Sequence, residues 1–170
     1  MAWLLFMDES GHDHRQMPGE VRGGVAIRAD RLWDFVQDWK HAELEMFGIE
    51  LSQVKEEIKG SKLLRRDKFK LASQGAPVDA ITRRALSRAL LEGQASNPDR
   101  KPTWPQMRAY GQANLAMAVR IFDLLKKYEA RIFASVIPRG AKPPKDYALA
   151  SYLRRDHVFL FQRYYHFLKT

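Results

Sequence analysis

Two adjacent carboxylic acids, Asp8 and Glu9, close an apolar run that contains Trp3, Leu4, Leu5, Phe6 and Met7. An acid at the exit of an apolar strand sits at the rim of a sheet. Mg²⁺ and Mn²⁺ take hard oxygen ligands, and two-metal phosphoryl transfer needs several carboxylates that converge on one place. Asp8 is the natural first ligand. If both acids remain in the strand, alternation turns Glu9 to the opposite face; alternatively the pair opens an ordinary turn with Ser10 and Gly11. His12-Asp13-His14 offer a second, weaker metal-binding pattern in a glycine-bounded loop. His157 and His166 read as packing residues on an aromatic helix face, and Trp3, Trp33 and Trp39 as core. The chain has no cysteine, which excludes disulfides, thiolate nucleophiles and cysteine-ligated zinc. Neither a phosphate-cradling glycine loop nor a nucleophilic serine elbow is present.

The elements that must position these acids fit one core. With 170 residues, 45% of them hydrophobic, the chain reads as a single domain, 1–170. No stretch reaches the ~18 consecutive apolar residues of a membrane span, so no membrane partner is expected. The apolar start runs into Asp8-Glu9 without a basic leader or cleavage site, so no signal peptide is expected either. A reducing cytoplasm suits a chain without cysteine. Residues 1–60 hold 7 Lys/Arg against 12 Asp/Glu, whereas residues 61–170 hold 22 against 8. An acidic amino-terminal third attracts cations and a basic remainder attracts polyanions, which is what a nuclease needs; solvated helix faces are the plainer reading.

Residues 2–9 read as a buried strand and residues 11–20 as a loop. Arg22 to Ile27 read as a second strand close enough to pair antiparallel with the first, which would place Asp8 at the end of a central strand. Asp30 is a plausible N-cap for a helix to about Gly48, with Leu32, Phe35, Val36 and Trp39 at helical spacing. Val54 to Gly60 read as a short strand or extended segment. Val78, Ile81, Ala85, Leu86, Ala89 and Leu90 mark a helix whose other face carries Arg83, Arg84 and Arg88. Thr103-Trp104-Pro105-Gln106 has capping-box spacing and starts a long helix. Arg131 to Ile137 are β-rich and belong to the same sheet. Asp146 opens a last helix with Ala150, Leu153, His157, Leu160, Phe161, Tyr164 and Leu168 on one face. The order of elements predicts an α/β fold, with a helical, basic insertion at about 65–104.

Met7-Asp8-Glu9-Ser10-Gly11, the Gly23-Gly24-Val25 strand, Glu57-Ile58-Lys59-Gly60-Ser61-Lys62-Leu63-Leu64 and the later Phe159-Leu160-Phe161-Gln162-Arg163 together resemble the bacterial and phage family called domain of unknown function 3800 (DUF3800). The resemblance spans most of the chain. It implies a ribonuclease-H-like mixed sheet with flanking helices and a nuclease that uses Mg²⁺ or Mn²⁺. It further implies Asp8 as the main metal ligand, Glu9 and Glu57 as supporting ligands, and Lys59 and Ser61 near the site. Two features depart from the family pattern: Gln162-Arg163 stands where members commonly carry Glu-Arg, and the further strand and helix that bring more acids do not follow. The expectation is therefore a carboxyl-terminally truncated form with an incomplete metal centre.

Three functions follow as expectations. The first is metal-dependent phosphodiester hydrolysis with Asp8, Glu9, Glu57 and Lys59 at the centre, while Arg83, Arg84, Arg88, Ser61 and Lys62 meet DNA or RNA. The second is a nucleic-acid-binding module that does not cut. The third is a partner or homodimer subunit docked through the apolar last helix, because a face of that size must be buried or mark an interface.

Overall fold

The computed structural model describes residues 2–10, 19–138, 140–141 and 155–170. It is a mixed α/β structure made of two compact units, one of residues 1–32 with 128–170 and one of residues 33–127. The loop histidines His12 and His14 with Asp13, and the helix start at Asp146 with Ala150 and Leu153, lie outside the described residues.

Among the described residues, the first unit is a three-stranded antiparallel sheet with one α-helix. Strand β1 (Trp3–Ser10), strand β2 (Gly19–Arg28) and strand β3 (Arg131–Pro138) lie in the order β1-β2-β3. The expected pairing of the first two strands and the shared sheet with the third are present. The expected central position of Asp8 is not: β2 is the central strand, and β1 lies at an edge of the sheet. Nor is β1 buried, since Leu4, Phe6 and Met7 are 41%, 50% and 36% exposed. A strand with a neighbour on one side and a helix on one face has too few partners to bury all its apolar residues.

Helix α6 (Arg155–Leu168) packs on β3 and β2. Leu160 is fully buried, Phe133 meets the rings of Tyr164 and Phe167 at 5.6 and 5.5 Å, and the edge of Trp3 meets Phe167 at 4.9 Å. The Tyr164 hydroxyl donates to the Trp3 carbonyl at 2.9 Å, and burial pushes its pKa up. Arg163 Nη1 donates to the Ala134 carbonyl at 2.6 Å. The packed stripe is His157, Leu160, Tyr164 and Phe167, one residue out of phase with part of the expected face, so Phe161 and Leu168 remain exposed, as does His166.

The second unit is helical: α1 (Leu32–Phe47), α2 (Gly60–Leu63), α3 (Arg66–Ala72), α4 (Ala80–Ser96) and α5 (Trp104–Lys127). Asp30 does not cap the first helix. It sits in a 3₁₀ turn, Ala29–Arg31, and its carboxylate accepts from Arg28 instead. Residues 54–59 form no strand: a 3₁₀ turn over Leu51–Val54 ends at Lys55 with φ 54°, and an irregular stretch leads into α2. One arm of the capping box is present, the Thr103 N–H donating to Gln106 Oε1 at 2.9 Å, while the Thr103 hydroxyl donates to the same oxygen at 3.1 Å. Within the core of this unit Glu43 is buried, accepting from Trp39 Nε1 and the Leu51 N–H, each at 2.9 Å. Trp33, expected in the core, is 69% exposed.

Candidate metal and nucleic-acid site

Strand β1 extends through Ser10, so both acids are inside it and alternation governs their directions. Glu9 lies opposite Arg22 in the register and Asp8 opposite Gly23. Arg22 has a side chain only 2% exposed and pairs with Glu9 at 3.1 Å and with Glu20 at 3.5 Å. Glu9 therefore belongs to the α6-covered face, with its charge offset by a buried guanidinium. Asp8 belongs to the other face, where Phe6, Ile132 and Val136 are at least half exposed. Asp8 Oδ1 accepts the Glu9 N–H at 2.8 Å, and among the described residues no cation pairs with its carboxylate.

Two hollows follow the acid-bearing edge. One, of about 480 Å³, is lined by Phe6, Asp8, Glu9, Val21, Val25 and Ile132 among others, an apolar floor with both acids at its end. The second, of about 210 Å³, is bordered by Met7, Asp8, Glu9, Arg22 and His157. Three consecutive strand residues border a hollow along the strand's edge, so this second space touches both faces. Gly24 keeps the strands close here: a Cβ would lie 2.9 Å from Leu5 Cδ1 and 3.0 Å from the Phe6 carbonyl oxygen.

The remaining expected residues belong to the helical unit. Glu57 is well exposed and pairs with Lys59 at 3.1 Å; Lys62 pairs with Glu56 at 2.6 Å, which raises the Lys62 pKa. These residues border a space of about 10 Å³ beside Tyr110 and Asn114, room for one water at most. Ser61 lies in α2. On α4 the arginines divide. Arg84 and Arg88 are exposed, Arg88 pairing with Glu92 at 2.8 Å, whereas Arg83 is half-buried with Nη2 4.0 Å from Met46 Sδ. The buried stripe of α4 is Ser87, Leu90, Leu91 and Gly93, so the expected apolar residues Ile81, Ala85 and Ala89 face water.

Comparison of the chain with protein-family models, with curated proteins and with solved structures finds no match. Function must therefore be argued from the geometry.

A hydrated Mg²⁺ keeps several waters and needs only one or two protein carboxylates. Asp8 fits that requirement as an exposed carboxylate without a cationic partner among the described residues. Glu9 would have to leave Arg22, and Glu57 would have to leave Lys59. Among the described residues no three acidic or histidine side chains form a metal-holding group. Sequence reasoning missed Arg22, because its place opposite Glu9 follows from the Asp8–Gly23 register and from no local signal.

Proposed function

We propose that this chain hydrolyses phosphodiester bonds of nucleic acid, using Mg²⁺ or Mn²⁺ held on Asp8. The observation that carries the reading is the state of Asp8: an acid on an apolar strand, turned to an open sheet face, with no cation neutralising it among the described residues. A bound divalent ion would polarise the phosphate and lower the pKa of its water. Asp8 supplies the anchoring charge. Glu9 holds Arg22 across the sheet, and this pairing fixes the edge on which Asp8 sits. The sheet with its helices is, in this reading, a ribonuclease-H-like arrangement of the domain of unknown function 3800 family. A cysteine-free chain of this kind suits the cytoplasm.

The Glu9–Arg22 pair favours a second reading, in which the centre is incomplete and nucleic acid is held without being cut. A nicking assay on plasmid DNA and on structured RNA with Mn²⁺ separates the two. Cleavage that stops on chelation and is absent in Asp8→Asn supports the nuclease; the amide keeps the size and removes the charge. Cleavage that persists in Asp8→Asn rules it out, and binding without cleavage at any metal concentration selects the second reading.

A further inference from the structure

We infer that the outward face of α3 is a binding surface for single-stranded nucleic acid, with the Phe69 ring as a stacking platform and Arg66 and Lys70 as phosphate contacts. The inference rests on the reading above only in taking nucleic acid as the partner; it uses none of the residues around Asp8.

The helix is seated by its inner face. Gly111 of α5 lets it approach closely: a Cβ there would meet Leu71 Cβ and the Lys68 carbonyl oxygen at 3.1 Å and the Ala72 nitrogen at 3.2 Å. Gln112 Nε2 also donates to the Ala72 carbonyl at 3.2 Å. With Lys68, Leu71 and Ala72 turned inward, helical spacing puts Arg66, Phe69 and Lys70 together on the outside. Phe69 is 48% exposed, and among the described residues its ring stacks on no other ring.

The cations of this region divide into two sets. Lys62 pairs with Glu56, Arg65 with Asp67 at 3.0 Å, and Lys68 lies 4.4 Å above the Tyr110 ring, partly buried and with its pKa lowered by that burial. Arg66, one turn before Phe69, and Lys70, next to Arg66 on the following turn, are exposed and have no carboxylate partner among the described residues. Arg108 adds a third cation where its Nη1 meets the Gln74 carbonyl at 3.4 Å, just past the end of α3. Residues 59–110 carry 12 Lys/Arg against 4 Asp/Glu, so the local field favours a polyanion.

An exposed ring beside uncompensated cations on one helix face matches the two things a single strand offers, an unstacked base face and the phosphate next to it. A duplex keeps its base faces stacked and would leave the ring unused. An apolar protein surface would leave the two cations desolvated and unpaired.

The test is fluorescence anisotropy of the whole chain in the Asp8→Asn background with EDTA, using a labelled oligothymidylate and a duplex of equal length. Expected are tighter binding of the single strand, about tenfold weaker binding for Phe69→Leu, and retained binding for Phe69→Trp. Joint replacement of Arg66 and Lys70 by Gln should flatten the plot of log affinity against log salt by about 1.4. Phe69→Leu binding as tightly as the parent, equal or better binding of the duplex, or retention on phosphatidylserine vesicles without oligonucleotide binding would each overturn the inference. Single-strand binding of the expected kind without any metal-dependent cleavage leaves it standing and removes only the nuclease reading. Metal-dependent cleavage by a chain whose Phe69→Leu form binds the single strand as tightly as the parent leaves the nuclease and removes the platform.

Discussion

Asp8 and Glu9 are neighbours in sequence and the same kind of acid, yet the sheet gives them opposite surroundings. On the face covered by α6, Glu9 meets Arg22, which is 2% exposed and also paired with Glu20, and His157 of the helix borders the same hollow. On the other face Asp8 stands at the end of a strip that leaves Phe6, Ile132 and Val136 in water, with no cation beside it among the described residues. The difference comes from the two-residue period of a strand together with, among the described residues of this unit, a helix on one side only. The packed face is therefore the structural one, and the open face is the one with chemistry to spare.

Substitutions should sort by face. The largest loss of stability is expected for Leu160→Ala, about 2–5 kcal/mol, because the side chain is wholly buried between α6 and the sheet. Chemical denaturation should show it as a lower midpoint. Next is Arg22→Met, at about 3 kcal/mol, the low end of the cost of breaking a buried ion pair, because it removes a guanidinium 2% exposed that pairs with Glu9 at 3.1 Å and with Glu20 at 3.5 Å. On the open face, Phe6→Ser should cost about 1 kcal/mol or less by the same measurement. A loss as large as that of Leu160→Ala would mean that this face is covered and the comparison fails. Smallest is Asp8→Asn, which should leave stability within about 0.5 kcal/mol, because among the described residues the carboxylate bonds only to its neighbour's N–H.

The sheet was legible because its strands carry strong local signals. β-branched and aromatic residues marked Arg131 to Ile137, and proximity in sequence paired the first two strands. Strand order was harder, since whether β1 or β2 is central depends on where β3 returns after the helical unit, and no local preference encodes that return. The capping box at Thr103 was legible because its hydrogen bonds are local, whereas α3 is seven residues long, too short for apolar periodicity to show. On α4 small residues misled the reading: Ala85 and Ala89 fit either face, and the buried stripe runs through Ser87 and Gly93, where close approach outweighs hydrophobicity. At the candidate site alternation correctly separated Asp8 from Glu9, but the partner of Glu9 could be identified only once the register was known.

In the proposed nuclease Asp8, and not its neighbour, bears the ion. Titration of Mn²⁺ followed by its paramagnetic resonance signal tests this without depending on turnover or on the choice of nucleic acid. The parent chain and Glu9→Gln are both expected to remove free Mn²⁺ from the spectrum, and Asp8→Asn is not. Mn²⁺ uptake by Asp8→Asn equal to the parent, or its loss in Glu9→Gln alone, would contradict it.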